Sequence, residues 1–340
     1  MIDTREPSHV TIADVAQRAK VSTATVSRVV NKSGLVAPET ADRVWSVIRQ
    51  LNYVPHMGAR VLASQKSRTL GLILPGISGY FFSELLRGIE NGVAGYDYSL
   101  LIYSTHRGVT SEQDFYLPLN EHNTDGLIIF TEGLEKDEIA RLTARQLPIV
   151  LLHQSSPAGL GIPCVTFENK NGSRAIVEHL IKVHKRRRIA HLAGSERQED
   201  SYWRELGYRQ ALEQNDIVFD PVLVALGDFE AEAAEEAVDK WLAEDVELDA
   251  IFAADDESAL GAITALRRAG KRIPQDIAVV GFDDAPFSRH LTPALTTVRA
   301  PIEGAGKAAA EQLIRLIESS QVDLLTLLPT EPIFRQSCGC

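Results

Sequence analysis

Apolar positions in the first fifty residues recur at helical spacing, in three short blocks. Thr11 can cap a helix over residues 11–19, whose apolar positions form one stripe, and Ser22 can cap a second helix over residues 23–31. A third helix is predicted from about residue 38 to residue 51, with a proline in its first turn. Two short helices joined by a tight turn predict a helix-turn-helix.

From residue 69 onward, short apolar runs alternate with amphipathic stretches, and this alternation predicts parallel sheets covered by helices. The strand–helix units are too many for one small open sheet. We therefore expect an α/β core of two doubly wound lobes with a cleft between them, and a closed barrel is the alternative. The predicted strands are 70–74, 99–103, 126–130, 149–152, 189–192, 222–226, 250–253 and 277–282. The predicted helices are about 81–94, 111–121, 135–145, 173–184, 202–214, 230–243, 257–268 and 304–318.

Length and composition restrict the class of protein. A chain of 340 residues is long for one packed core and suggests two or three domains. Its 44% hydrophobic and 24% charged residues are typical of a soluble globular chain. No apolar run is long enough to span a membrane, and the N-terminus lacks the pattern of a signal peptide. We therefore expect a cytoplasmic protein with no membrane partner.

The net charge of -11 conceals an asymmetry along the chain. Residues 1–68 carry ten basic and five acidic side chains, a balance of +5, whereas the remaining residues carry a balance of -16. A basic head on an acidic body is expected when one small domain binds nucleic acid and the rest of the chain has another task.

No pattern in the sequence supports catalysis or metal binding. Cys164, Cys338 and Cys340 are too few for a disulfide framework and lack the paired spacing of a zinc site. His179 and His184 are five apart, which does not place them on one helical face. The phosphate-binding loop, the serine elbow of hydrolases and the dinucleotide-binding glycine motif are missing as well. We expect no catalytic residues, no metal and no cofactor.

The second helix of a helix-turn-helix enters the major groove of DNA, where residues near its start reach base edges. Here those residues are Thr23, Ala24 and, one turn later, Arg28. Arg28 can bond a guanine with two hydrogen bonds, and the other two offer a hydroxyl and a methyl group. Small polar residues at the helix starts are candidate phosphate ligands: Thr11, Ser22, Ser27 and Asn31. The alternative interpretation is a small helical domain with capped helices.

The segment VTIADVAQRAKVSTATVSRVVNKSGLVAPETADRVWSVIRQLNYVP resembles the N-terminal domain of the LacI/GalR family of bacterial transcription regulators. The resemblance continues through GLILPGISGYFFSELLRGIE, DGLIIF, HLAG, FAADDESALGA, DIAVVGFDD and TPALTTVRAP, and covers about residues 9–340. It implies a headpiece over residues 1–56, a hinge over 57–67 and a periplasmic-binding-protein-like core over 68–340. The implied lobes are an N-lobe of about 68–167 and 301–328, and a C-lobe of about 168–300 and 329–340. The resemblance also implies a homodimer on a pseudo-palindromic site in double-stranded DNA.

Two residues of the hinge match positions that contact DNA in the family. Ala59 and Leu62 lie where family members form a short helix on specific DNA. Leu62 matches the leucine that wedges into the minor groove, which kinks the duplex and permits further contacts.

The resemblance also assigns residues to an effector site in the cleft. Arg204 matches the arginine that grips the effector, and Asp283 matches the carboxylate that accepts hydroxyl or amine donors. Such fixed polar partners and aromatic faces suit a small polyhydroxylated ligand. The other matched positions are Phe82, His153, Phe167, Phe229 and Asp255.

Two of these residues depart from the family pattern. Asp255 stands where several relatives have asparagine, and His153 stands where a carboxylate is frequent among sugar binders. An ionised Asp255 only accepts hydrogen bonds, so it would reject a carboxylate ligand unless Arg204 compensates.

We expect a sequence-specific transcription regulator, a repressor of a catabolic operon, controlled by a sugar-like effector in the cleft. One alternative is a regulator controlled mainly by a protein partner. Another is a solute-binding protein or a sugar-processing enzyme of the same fold, which would need an export signal or a catalytic group. The sequence leaves open whether the effector acts as inducer or corepressor.

Overall fold

A computed structural model describes residues 10–31, 33–54, 66–105 and 117–340. The chain divides into two compact units, one of Met1–Thr69 with Leu119–Asp125, and one of Leu70–Pro118 with Gly126–Cys340. The helices are α1 (Ile12–Ala19), α2 (Thr23–Val30), α3 (Pro38–Leu51), α4 (Gly79–Val93), α5 (Lys136–Ala144), α6 (Asn169–Lys182), α7 (Glu199–Glu213), α8 (Ala231–Ala243), α9 (Asp256–Arg268) and α10 (Ile302–Ile317). The strands are β1 (Thr69–Leu74), β2 (Ser99–Ser104), β3 (Gly126–Phe130), β4 (Ile149–Leu152), β5 (Cys164–Phe167), β6 (Ile189–Ala193), β7 (Val224–Leu226), β8 (Ala250–Ala253), β9 (Ala278–Val280), β10 (Thr297–Arg299), β11 (Leu325–Leu328) and β12 (Glu331–Ile333). Among the described residues, no helix combines the length and the apolar character that a membrane span requires.

The first three helices enclose a small core of their own. Lys20, in the left-handed conformation with φ 54°, ends α1 and turns the chain toward α2. Arg43 of α3 donates a hydrogen bond of 3.0 Å to the carbonyl oxygen of Ala19, which fixes α3 against the end of α1. The buried side chains of this core are Val15, Ala16, Ala19, Val26, Val29, Val44, Val47 and Ile48.

Six strands form the sheet of the N-lobe, in the order β11-β5-β4-β3-β1-β2. The pairs from β1 through β3, β4 and β5 to β11 are parallel, with Leu72 opposite Ile128. Helices α4 and α10 pack together against one face of this sheet. The chain order reverses at β1, and ligands of such sheets bind outside the carboxyl ends of the strands at this kind of reversal.

Four strands form the sheet of the C-lobe, in the order β7-β6-β8-β9, and all three pairs are parallel. Alternate strand residues face opposite sides, so α6 and α7 cover one face and α8 and α9 cover the other. The chain passes between the lobes after β5, after β10 and after β11. The antiparallel pair of β10 and β12 joins two of these passages.

The two open sheets confirm the doubly wound α/β lobes and exclude the closed barrel. Strands β5, β10, β11 and β12 were not predicted from the sequence. The predicted strand over 222–226 begins later, at β7, because Asp220 caps a 3-10 turn there by accepting from the amide of Val222. Of the helix predicted over 111–121, residues 117–121 are not helical, and residues 111–116 lie outside the described residues.

Helices α4 and α10 approach each other so closely that only glycine fits at the contact. A Cβ atom on Gly88 would overlap the carbonyl oxygen of Glu303, and one on Gly306 would overlap the carbonyl oxygen of Leu85. Because both obstacles are backbone atoms of the facing helix, a side chain could be accommodated only by moving the helices apart.

We expect Gly88→Ala to destabilise the core by roughly 1–3 kcal/mol, because overpacking outweighs the better helix propensity of alanine. The matched control is Gly304→Ala in α10, where the new Cβ would lie 3.5 Å from the Cβ of Pro301, an ordinary contact. Thermal unfolding should show a lower Tm for the first variant and an unchanged or higher Tm for the second. Equal Tm values for the two variants would contradict the close contact.

Candidate functional sites

Helix α2 presents its predicted base-reading residues to solvent. Thr23, Ala24 and Arg28 are exposed, whereas Val26 and Val29 on the opposite side are buried in the core. Within the described residues the guanidinium of Arg28 has no hydrogen bond or ion pair, so its donors are available to a ligand. The structure therefore brings the three residues onto one accessible face of the second helix.

Three of the four candidate phosphate ligands lie at helix ends, and Ser27 lies in the middle of α2. The amide of Thr11 donates 2.8 Å to Asp14, which lowers the pKa of that carboxyl, and the two side chains form a capping box at the start of α1. Ser22 caps α2 by accepting from the amide of Thr25 at 3.1 Å. Ser27 accepts from the side-chain amide of Asn31 at 3.1 Å, which pairs these two candidates with each other. The predicted hinge contacts, Ala59 and Leu62, lie outside the described residues.

Strained backbone gathers where the strands of the core end. Left-handed φ angles cost non-glycine residues about 1–3 kcal/mol each, and they cluster at functional sites. Here they follow β3, β4, β7 and β9 directly, at Glu132, His153, Asp228, Phe229, Asp283 and Asp284. Both lobes therefore carry left-handed residues shortly after the carboxyl ends of their strands, where sheets of this type bind ligands.

A buried arginine organises the polar groups of the cleft. Arg204 of α7 is 2% exposed, and its guanidinium lies 3.9 Å above the ring of Phe282. It donates 2.8 Å to Oδ1 of Asn169 and 2.6 Å to the carbonyl oxygen of Ala254, and its third contact is Oδ1 of Asp283 at 3.4 Å. A buried cation needs partners on every side, and these contacts supply them.

A histidine of the N-lobe meets this network across the cleft. His153, which follows β4, places Nδ1 2.8 Å from Oδ2 of Asp200 in α7 of the C-lobe. Asp200 also accepts 2.8 Å from the amide of Asn169, so the network runs from His153 to Arg204. The interactions with His153, Arg204 and Asn169 lower the pKa of Asp200 against the opposing effect of burial. The Nε2 of His153 is buried and has no hydrogen-bond partner among the described residues.

Aromatic side chains form the N-lobe wall of the cleft. The ring of His153 lies 4.5 Å from that of Phe167 and 5.2 Å from that of Phe130. Phe130 in turn lies 5.4 Å from Phe82, at the first turn of α4. On the C-lobe side, Phe229 lies 5.8 Å from the guanidinium of Arg204. The predicted aromatic positions therefore lie next to the polar network.

Two further contacts join the lobes at the edge of the cleft. The side-chain amide of Gln198 donates 2.7 Å to Glu132, which follows β3. The hydroxyl of Ser155 donates 2.7 Å to Glu199 in the first turn of α7. Because the first turn of α7 carries most of these contacts, it is the part of the C-lobe most directly coupled to the N-lobe.

Asp283 combines backbone strain with an unusual charge state. It is 8% exposed, has φ 107°, and burial raises the pKa of its carboxyl to about 7 although the guanidinium of Arg204 opposes this shift. Beside it opens a cavity of about 360 Å³, within the usual size range of small-molecule sites. Tyr80 and Glu84 of the N-lobe line this cavity together with Asp284.

Asp255, one of the predicted effector residues, is also the N-cap of α9. Its Oδ1 accepts 2.9 Å from the amide of Ser258 and caps α9. Burial raises its pKa against these hydrogen bonds and the charge of Arg204. The neighbouring Asp256 faces the protein interior, where it accepts from Thr297 and from the amide of Ala285.

Six of the seven predicted effector residues are joined by contacts, and Asp255 interacts with Arg204 through its charge, but sequence analysis missed three residues that connect the set. Asn169 follows β5, a strand that was not predicted, and Asp200 lies in the first turn of α7, before the predicted helix start at 202. Phe282 was predicted only as the end of a strand, yet the guanidinium of Arg204 packs on its ring. Recognition of β5 would have placed Asn169 at a strand end and drawn attention to it.

Comparison with known proteins shows which family this chain belongs to. Residues 11–56 match the family described as bacterial regulatory proteins, lacI family, and residues 177–338 match the periplasmic binding protein-like domain. The ribose operon repressor of Halalkalibacterium halodurans is 35% identical over 328 residues, which is 96% of each chain. The chain belongs to the LacI family of bacterial regulators.

Solved structures of LacI-family proteins share the whole architecture. The lac repressor dimer bound to operator and the anti-inducer ONPF has a TM-score of 0.80 at 27% identity, covering 97% of this chain and 99% of that chain. The transcriptional regulator CelR in complex with cellobiose has a TM-score of 0.70 at 27% identity, covering 96% and 99%. This LacI-family protein is therefore a transcription regulator that joins a DNA-binding headpiece to a two-lobed effector-binding core.

The raised pKa of Asp283 predicts a pH dependence of stability. Its pKa in the folded protein, about 7, exceeds that of an exposed aspartate, so folding favours the protonated form. The stability contributed by this preference is complete below about pH 4 and is lost as the pH rises through about 7. Because Asp283→Asn is neutral at every pH, its Tm relative to that of the unchanged protein should rise by a few degrees from pH 5 to pH 8. A Tm difference that stays constant over this range would contradict the raised pKa.

Proposed function

We propose that the protein is a homodimeric repressor of a catabolic operon that binds a pseudo-palindromic operator. The support for base reading is the exposed face of α2, on which Thr23, Ala24 and Arg28 are free of the headpiece core. The support for a dimer is its likeness to the lac repressor, whose structure is that of a dimer bound to operator. Two headpieces related by a dyad would each place α2 in a major groove.

The proposed effector is a small polyhydroxylated molecule, a sugar or sugar derivative, held between the lobes. The observation that carries this assignment is the network from His153 through Asp200 and Asn169 to Arg204, which ends at Asp283. It presents donors and acceptors beside aromatic rings, and in the described part of the chain no group hydrogen-bonds to the buried Nε2 of His153. Two relatives support a sugar, since one is named for the ribose operon and another holds cellobiose.

Effector binding would control operator binding by changing the relation of the two lobes. The contacts that join the lobes at the first turn of α7 are the ones a ligand would replace or reinforce. A ligand that binds one arrangement more tightly shifts the population toward it. In this proposal the headpiece comprises residues 1–56 and the hinge residues 57–67, with Ala59 and Leu62 on the minor groove. The lobe boundaries lie near residues 167, 300 and 328.

The protein in this proposal is not an enzyme. Asp283, Asp255 and Asp256 are engaged by Arg204, by the cap of α9 and by interior contacts, which supports a binding role. A regulator of operator DNA acts in the compartment that holds the chromosome, so we also retain the cytoplasmic location as part of the proposal.

We expect Arg28→Ala to weaken operator binding by about 1–3 kcal/mol and to relax base preference at one position of each half-site. The operator is first selected from a pool of random duplexes, and dissociation constants are then measured at fixed salt. The matched control is Arg49→Ala, which removes an exposed positive charge from the last turn of α3. An equal loss of binding free energy on operator and on random DNA in Arg28→Ala would show that Arg28 contacts only phosphates.

The effector can be found by a thermal-shift screen of sugars, sugar acids and polyols, because a ligand that binds the folded state raises its Tm. Asp283→Ala should weaken binding of the identified ligand about tenfold or more by removing a buried hydrogen-bonding carboxyl group. Its operator affinity without ligand should stay unchanged. The control is Asp323→Ala, an exposed carboxylate before β11. Full ligand affinity in Asp283→Ala would contradict the assigned effector site.

A further inference from the structure

The fold gathers two histidines and two cysteines at the C-terminal end of α6, the end opposite to Asn169 of the cleft. His179 lies in the last turn of α6 and His184 in the loop that follows, while Cys338 and Cys340 are at the end of the printed sequence. The nitrogen and sulfur atoms of these four residues all lie within 4.8 Å of one another. We call this group the His/Cys cluster.

Four of the six distances between ligand atoms of the His/Cys cluster lie within about 0.2 Å of those in a tetrahedral zinc site. The two Nε2 atoms are 3.1 Å apart, and Nε2 of His179 lies 3.6 Å from Sγ of Cys338 and 3.3 Å from Sγ of Cys340. Nε2 of His184 lies 3.5 Å from Sγ of Cys340. Zinc bonds of about 2.0–2.1 Å to nitrogen and about 2.3 Å to sulfur separate the ligand atoms by about 3.3–3.8 Å.

Hydrogen bonding alone does not account for this convergence. Three polar atoms approach Nε2 of His179 at once, but a neutral imidazole nitrogen carries one proton or one lone pair. A single ion at the centre would use the lone pairs of both rings together with two thiolates. The two thiolates would also neutralise the charge of a divalent ion, so a half-buried site carries no net charge.

The surroundings hold the ligands in place. The ring of Phe334 stacks on that of His179 with centroids 4.0 Å apart, and the hydroxyl of Thr296 lies 3.1 Å from Sγ of Cys338, where it can donate to a thiolate. Gly339, between the cysteines, has φ 113°, and a Cβ there would lie 3.0 Å from Nδ1 of His184. The turn that brings both sulfurs to the same point therefore requires glycine.

We propose that the His/Cys cluster binds one Zn²⁺ ion per chain. The ion fastens the segment after β12 to the end of α6, the helix whose first residue, Asn169, bonds to Arg204 in the cleft. It is a structural site, because four protein ligands fill the tetrahedral shell and leave no open position. The prediction of no metal rested on the spacing of these residues along the chain. Spacing alone does not show that the fold brings them together.

Cobalt is the probe for this site. The full-length protein is purified under reducing conditions, stripped with a chelator and titrated anaerobically with Co²⁺. We expect one Co²⁺ per chain, with the visible bands of a tetrahedral ion and a near-ultraviolet thiolate-to-cobalt band, and displacement by one equivalent of Zn²⁺. Zn²⁺ should also raise the Tm of the stripped protein by several degrees, and the chelator should reverse this rise.

Ligand variants make the test specific. Cys340→Ser and His184→Asn should each weaken Co²⁺ binding by more than about tenfold and abolish the Tm rise with Zn²⁺. Cys164→Ser, in β5, and His122→Asn, an exposed histidine, should bind as the unchanged protein does. Both ligand variants change partly exposed residues, so their metal-free Tm values verify that the fold persists.

Three results would overturn the proposal. The first is a titration without a thiolate-to-cobalt band, and the second is a Co²⁺ affinity and band intensity in Cys340→Ser equal to those of the unchanged protein. The third is a disulfide between Cys338 and Cys340 in protein purified with Zn²⁺ and without reductant, found by peptide mass spectrometry, which would make the pair a redox couple instead.

Discussion

The guanidinium of Arg204 is a buried positive charge, and the residues of the cleft supply hydrogen-bond acceptors for it. A buried cation without partners is severely destabilising, so each of its donors requires an acceptor. The acceptors come from three separated parts of the chain, namely Asn169 after β5, Ala254 after β8 and Asp283 after β9. The ends of these strands, one from the N-lobe sheet and two from the C-lobe sheet, must therefore lie close together, and the same requirement builds the site.

This constraint explains how a ligand between the lobes can act at a distance. Asn169 is shared by Arg204 and Asp200, and Asp200 is shared with His153 of the opposite lobe. A ligand that bonds to Nε2 of His153, or competes for Asp283, alters a network that reaches both sheets. The chain crosses between the lobes three times, which limits their relative motion to a few directions. Coupling through discrete contacts of this kind needs only a difference in ligand affinity between two arrangements.

The headpiece and the architecture follow from local patterns, whereas the connections of the cleft do not. Thr23, Ala24 and Arg28 could be placed on one face because helical periodicity alone determines it. Arg204 and Asp283 could be assigned because their motifs resemble those of the family. Asn169 and Asp200 could not, because their roles arise only when two lobes meet across the cleft. The His/Cys cluster escaped for the same reason, since the pairing of β10 with β12 leads the end of the chain back to α6.

The central claim is that the effector bound in the cleft and the bound operator change each other's binding free energy by the same amount. The most direct test measures the dissociation constant of the effector twice, on free protein and on protein saturated with operator. The account predicts that the two values differ by the same factor by which saturating effector changes the operator dissociation constant, within the usual coupling range of about 5–150-fold. Equal effector affinities in the two states would contradict it.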